Sequence, residues 1–144
     1  MKDQKPHGLL RALELAGHAV DGHLSRKLTE IDLTEAEGHV IFHLVEVGPE
    51  RLAGIPDLNR AFGMRPSTLT SVLDRLEKRR MITRKPNPGD RRSFLIRVTQ
   101  PGRLAATRVA GMFEELERSA SSAVTARDMA GFHKVMTALR DACD

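Results

Sequence analysis

Two stretches of the chain carry most of the side chains that could do chemistry. One reads Arg65-Pro66-Ser67-Thr68-Leu69-Thr70-Ser71-Val72-Leu73-Asp74-Arg75 and the other Asp90-Arg91-Arg92. Hydroxyl groups donate and accept hydrogen bonds and guanidinium groups donate through a planar fork, so together they suit phosphate oxygens and the edges of base pairs. Other groupings offer less. His39 and His43 lie four apart, a spacing that can bring two imidazoles to one metal. No motif fixes a third ligand, so the pair reads as the polar edge of a helix. Cys143, the one cysteine, has Arg140 as its only adjacent cation and reads as an inert terminal thiol. Asp74 and Glu77 share a helical stretch with Arg75, Lys78 and Arg79 and read as surface ion pairs. With no glycine-rich phosphate loop and no nucleophile-elbow pattern, the chain is expected not to be an enzyme, and to need neither cofactor nor metal.

The two stretches sit in a cationic third of the chain. The 144 residues carry a formal net charge of +4, but between Arg60 and Arg108 thirteen Lys and Arg face only Asp74, Glu77 and Asp90. That segment is therefore +10 and the remainder −6. Such segregation attracts polyanions, nucleic acid first and an anionic membrane surface second. Five Phe with no Trp or Tyr leave no interfacial anchor and little with which to stack splayed bases. Double-stranded DNA is the expected partner, and no membrane is. No apolar run approaches the roughly 18 residues of a membrane span, and Met1-Lys2-Asp3-Gln4-Lys5 lacks the apolar stretch of a signal peptide, so a cytoplasmic location is expected.

The elements that must position these groups follow from periodicity. Leu9, Leu10, Leu13, Ala16, Val20, Leu24 and Leu28 recur every three or four residues and predict an amphipathic helix over 9–28. Thr34 with Glu37 three positions later is a capping box opening a second helix, with Val40, Ile41, Leu44 and Val47 inward and Gly48-Pro49 as its stop. A short third helix is expected over 55–62, with Leu58, Ala61 and Phe62 apolar. Pro66 suits the first position of a fourth helix reaching about Arg79. Burying Leu69, Val72, Leu73 and Leu76 leaves Ser67, Thr68, Thr70, Ser71, Asp74, Arg75 and Lys78 on its open face. The period then changes to two through Ile82, Arg84, Phe94, Ile96 and Val98, broken by Pro86-Asn87-Pro88-Gly89-Asp90. This predicts a hairpin whose long cationic tip continues into Arg91-Arg92-Ser93. Thr99 caps a fifth helix through Leu104, Ala105, Val109, Met112, Phe113 and Leu116, and Thr125 opens a sixth with Met129, Phe132, Val135, Met136 and Leu139.

Three helices and a hairpin are the parts of a winged helix-turn-helix, in which one helix enters the major groove and the hairpin lies along the neighbouring backbone or minor groove. The sequence resembles the MarR family of bacterial transcriptional regulators. The likeness rests on Leu33-Thr34-Glu35-Ala36-Glu37, on the run from Ser67 to Glu77, and on Pro86 to Ser93 with Val98-Thr99 and Gly102 after it. The resemblance implies that the fourth helix is the recognition helix and Asp90-Arg91-Arg92 the wing tip. On that basis Thr70, Ser71 and Arg75 face the groove, Arg91 and Arg92 reach the minor groove or its phosphates, and Asp90 steadies an arginine. Arg65, Ser67 and Thr68 complete the recognition-helix set. Two residues depart from the family pattern. Arg80 stands where Gly would serve as the left-handed residue ending the helix, and Arg65 occupies a position suited to a small polar N-cap.

The expected fold class is mainly α (α+β), a winged helix-turn-helix over 31–99 with helical regions 1–30 and 100–144 forming one continuous domain. One small core cannot cover the apolar stripes of the terminal helices, so an intertwined homodimer is expected, its recognition helices about 34 Å apart to match one turn of B-DNA. The expected function is sequence-specific binding of a pseudo-palindromic operator, with repression relieved by a small-molecule effector. The resemblance implies a small aromatic or phenolic one, and no residue identifies it. The competing readings are a sequence-indifferent architectural DNA-binding protein, or a regulator responding to metal or redox change.

Overall fold

A computed structural model describes residues 8–47 and 55–143. The chain runs α1 (Gly8–Thr29), α2 (Glu35–Glu46), α3 (Ile55–Phe62), α4 (Pro66–Lys78), β1 (Ile82–Asn87), β2 (Asp90–Val98), α5 (Gln100–Ser121) and α6 (Ala126–Asp141). The mainly helical winged fold expected from the sequence is the fold observed. The expected stop at Gly48-Pro49 lies outside the described residues.

The described residues up to 110 and those from 111 onward form two compact units. In the first, α2 packs against α1 and α4, and α3 and β1 also pack on α4. The core consists of Leu24, Leu28 and Leu33, Val40, Ile41 and Leu44, Leu58, the α4 stripe Leu69, Val72, Leu73 and Leu76, and Ile82, Ile96 and Val109. Helix ends follow local chemistry. Thr34 and Glu37 close the expected capping box on α2. Asp32, at φ 58°, turns the chain after α1, where the Asp32 and Leu33 N–H groups return to the carbonyls of Thr29 and Leu28. This is a Schellman motif, and it buries Leu33 together with Leu28.

Arg80 also has a φ of 58°. Its N–H donates to the Glu77 carbonyl at 2.8 Å, and that of Met81 to Leu76 at 2.9 Å. α4 therefore ends in the same motif although Arg, not Gly, fills the left-handed position, at a cost of about 1 kcal/mol. The turn aims the chain straight into β1. After β2, Thr99 holds the base of the hairpin, donating its N–H to the Met81 carbonyl at 3.0 Å and its hydroxyl to the Arg80 carbonyl at 2.6 Å, and its Oγ1 caps α5 by accepting from Gly102 N–H.

Several expectations need correction. The hairpin turn is the two residues between Asn87 and Asp90, so Arg91 and Arg92 lie on β2 and not in a long tip loop. Leu104 is 60% exposed, because α5 buries Gly102, Ala105, Ala106 and Val109, one residue away around the helix. Ala61 and Phe94 are exposed as well.

In the second unit, Thr125 and Asp128 form a capping box that opens α6. The Thr125 hydroxyl and N–H both donate to the Asp128 carboxylate and hold its pKa below the usual aspartate value. No described residue of this unit is buried, and Met129, Phe132 and Val135 are exposed.

Candidate nucleic-acid interface

With its leucine and valine stripe in the core, α4 must turn its other side outward. Ser67, Thr68, Thr70, Ser71, Asp74 and Arg75 are all exposed there. Arg65 is the N-cap residue, in extended conformation, and no side chain caps the helix start. Its place as a departure from a small polar cap is thus real: the first turn forgoes a side-chain acceptor, and a cation stands beside its N–H groups. Thr70 donates its hydroxyl to the Pro66 carbonyl at 2.9 Å, which leaves its oxygen lone pairs for another donor.

Arg75 is held from two sides. Its Nε donates to Glu37 Oε1 at 2.6 Å and its Nη1 to Ser71 Oγ at 3.0 Å, while its side chain keeps 47% exposure. Glu37, on the first turn of α2, is the one charged residue among the buried side chains of the described residues. Burial alone would raise its pKa; the Thr34 N–H and the Arg75 and Arg79 guanidinium groups overcome that and hold it below the usual glutamate value. Arg79 also reaches Asp32 Oδ2 at 3.2 Å. These groups line a cleft of about 650 Å³ with Thr29, Leu33, Thr34 and Lys78.

Asp74 and Glu77 do not pair along their own helix as expected. Both engage Arg84 of β1, whose Nε donates to Glu77 Oε2 at 2.9 Å and whose Nη2 reaches both carboxylates. The Glu77 carboxylate additionally accepts from the Arg84 backbone N–H at 3.2 Å. Burial would lower the Arg84 pKa, and the two carboxylates more than reverse this, so the guanidinium stays charged. The physical reason is competition: a cation held 17% exposed against the helix is a better partner than a solvated neighbour such as exposed Lys78. The clamp joins α4 to the hairpin.

On the hairpin, β1 and β2 pair in regular antiparallel register from Ile82↔Val98 to Pro86↔Phe94, and then jump to Asn87↔Asp90. Arg91, Arg92 and Ser93 thus bulge out of the ladder with no partner residue across from them. The bulge is braced from within. Asn87 Nδ2 donates to Ser93 Oγ, Ser93 Oγ donates to the Asp90 carbonyl, and Asp90 Oδ1 accepts the Arg92 backbone N–H at 2.9 Å. The contact of Asp90 is to the Arg92 main chain two residues on, within the turn of the bulge. Both Arg91 and Arg92 are exposed.

His43 stacks edge-on against Phe62, ring centroids 5.0 Å apart. Among the described residues no group of three or more His, Cys, Asp or Glu is placed to hold a metal. Cys143 is exposed. No described helix is long and apolar enough to cross a membrane.

The MarR family model matches residues 33–94, from the end of the α1–α2 turn through the bulge. The HTH-type transcriptional regulator PecS of Dickeya dadantii (strain 3937) is 30% identical over 116 residues, which are 81% of this chain and 70% of PecS. The chain belongs to the MarR family. Solved structures agree on the MarR-family fold. The Staphylococcus aureus MepR–DNA complex is 19% identical with a TM-score of 0.86, covering 94% of this chain and 98% of that one. A mutant E. coli MarR complexed with operator DNA is 22% identical with a TM-score of 0.79, covering 91% and 92%. Within this MarR-family chain, Glu37, legible in the sequence only as a helix cap, also holds Arg75 on the exposed face of α4. Its partner Arg75 lies 38 positions away, beyond the reach of any local pattern.

Proposed function

We propose that this chain is a homodimeric, sequence-specific regulator of transcription that binds a pseudo-palindromic DNA operator and represses until a small aromatic or phenolic molecule releases it. The observation that carries this reading is that the exposed polar face of α4 and the bulged arginines of the hairpin belong to one unit, with Arg84 tying the two elements together. In this reading Thr70, Ser71 and Arg75 address base edges, and Arg65, Ser67 and Thr68 the flanking backbone at the helix start. Arg91 and Arg92, braced by Asp90, address the minor groove or its phosphates. MepR and MarR, which share the fold, have been solved with DNA.

A second copy of the chain is the proposed cover for the apolar side chains that the single chain leaves exposed. Leu9, Leu10, Leu13 and Val20 on α1 and Phe132 and Val135 on α6 are each at least 40% exposed. The helices within 1–30 and 100–144 supply that dimer and residues 31–99 the DNA-binding part, all in the cytoplasm. The effector acts only through its differential affinity for a dimer whose recognition helices are wrongly spaced.

Selection of bound sites from random duplex DNA, with and without a panel of phenols, tests the reading. A recovered pseudo-palindrome bound at least roughly 10³-fold more tightly than random duplex is the expected result. Equal affinity for all duplexes would identify an architectural binder and overturn it. Sedimentation at micromolar concentration should show about twice the 16.0 kDa chain mass.

A further inference from the structure

The Thr34–Glu37 capping box needs only one carboxylate oxygen: Oε2 accepts the Thr34 N–H at 2.9 Å. A glutamine would serve that cap equally well, since either residue suits the position. The charge of Glu37 is therefore surplus to capping, and burying a carboxylate is costly unless a cation answers it. Its second oxygen, Oε1, faces the other way and takes the Nε–H of Arg75 at 2.6 Å. Ser71 Oγ takes an N–H of Nη1. A guanidinium has five N–H groups, so two are committed within the protein and three remain, both of those on Nη2 among them. The side chain is thus pre-ordered, with its outer fork at the exposed face of α4 and little rotamer freedom left to lose on binding.

We infer that Glu37, from the first turn of α2, is the positioning residue that makes Arg75 a reader of guanine. It fixes the guanidinium by its Nε so that the outer N–H fork presents bidentate geometry to the O6 and N7 acceptors of one base pair in each half-site. This inference rests on the function proposed above. It separates two roles that an arginine on DNA can play. A mobile Arg75 would neutralise any nearby phosphate, and a held Arg75 discriminates.

The test is site selection from random duplex DNA with wild type, Arg75→Ala, Glu37→Gln and the double variant, with thermal unfolding of each. Glu37→Gln keeps the cap acceptor and removes the charge that holds Nε. The expected result is that Glu37→Gln loses preference, by about tenfold, at the same base pair per half-site that Arg75→Ala loses, with other positions and random-DNA affinity kept within about twofold. The double variant should then lose no more than Arg75→Ala alone. Retained preference at that base pair in Glu37→Gln overturns the inference, as does an even loss across all positions, the mark of a structural defect. If Glu37→Gln does not fold, the Arg75 Nε–H resonance of the wild type decides: slow exchange with solvent supports the inference, and exchange at the rate of an exposed arginine overturns it. Arg75→Ala selecting the wild-type site refutes the assignment of Arg75 in the proposed function itself, whereas an Arg75→Ala effect without a Glu37→Gln effect refutes only the positioning role.

Discussion

Replacing Gly102 with Ala adds one methyl group at the point where α5 leaves the hairpin. A Cβ there would stand 2.1 Å from the Met81 carbonyl oxygen, 2.7 Å from Val98 Cγ1 and 3.0 Å from the Met81 carbonyl carbon. The first contact is roughly an ångström too close, and the offending atom is backbone. It cannot step aside freely, because the same carbonyl accepts the Thr99 N–H at 3.0 Å. Relief requires moving the start of α5 away from the hairpin base. Overpacking of this kind costs about 1–3 kcal/mol, and an immobile neighbour puts it at the upper end. Ala is the better helix former by about 1 kcal/mol, which leaves a net loss of about 2 kcal/mol. For a chain of this length that lowers Tm by about 4–8 °C. Gly111→Ala in the same helix supplies the control. A Cβ there meets nothing within 4 Å, so only the propensity gain applies and Tm rises by about 2–4 °C. Thermal unfolding followed by circular dichroism, at one fixed protein concentration, reads both. A Gly102→Ala protein as stable as wild type, or the two variants shifting Tm in the same direction, refutes the reasoning.

Three further outcomes are expected. Arg91→Ala with Arg92→Ala should weaken specific and random DNA alike and, since a dimer loses four cations, reduce the magnitude of the slope of log K against log salt by about 3–4, as measured by fluorescence anisotropy across a salt series; an unchanged slope removes the bulge from the interface. Arg84→Met leaves Asp74 and Glu77 facing each other without their cation. Since Asp74 is exposed and Glu77 partly so, both can rehydrate, and the loss should be about 1–2 kcal/mol, seen as a lower Tm near neutral pH, and salt should narrow the gap to wild type. Glu37 has a depressed folded-state pKa, so its contribution is complete above the ordinary glutamate value of about 4.3 and is lost as pH falls through the lower folded value. The Tm advantage of wild type over Glu37→Gln should accordingly be constant from pH 7 to about 5 and shrink below pH 4; an advantage that grows on acidification contradicts the assignment.

What the sequence disclosed follows the range over which each interaction acts. The α4 stripe, the Thr34–Glu37 cap and the limits of α3 depend on residues within four positions of each other, and all three stand in the structure as the periodicity implies. That Arg80 would occupy the left-handed terminus is suggested only by the family resemblance, which puts Gly there; the helix does end in that conformation. Ion-pair partners were not legible. Asp74 and Glu77 have cations three and four positions away, yet they bind Arg84 across the α4–β1 junction, since the turn at Arg80 delivers β1 against that face. The hairpin tip differs from the expected long loop for a related reason. Five turn-forming residues in a row suggest a long loop, but the Asn87 side chain accepts the Gly89 N–H at 3.0 Å and tightens the turn, and the extra length is absorbed as a bulge in β2.

The cationic segment is partly neutralised within the chain itself. Of the thirteen basic residues between Arg60 and Arg108, Arg60, Arg75, Arg79 and Arg84 contact carboxylates of the chain itself. Glu37, which lies outside the cationic segment, neutralises part of it from beneath α4. The field offered to a polyanion is therefore smaller at the centre of α4 than the +10 of the linear sequence implies. Arg65 at the helix start and Arg91 and Arg92 on the bulge are among the exposed cations for which no carboxylate contact is seen among the described residues. Uniform positive charge favours indifferent binding, because any phosphate can satisfy any cation. In the proposed reading, a surface with exposed cations at its margins and a held arginine between them does otherwise: the margins would grip backbone while the centre, tied down by hydrogen bonds, would meet only a base with the right acceptors. Affinity and discrimination then reside in different residues, so the Arg91 and Arg92 variants and the Arg75 variant should fail in different ways, the first in salt-dependent grip and the second in choice of sequence.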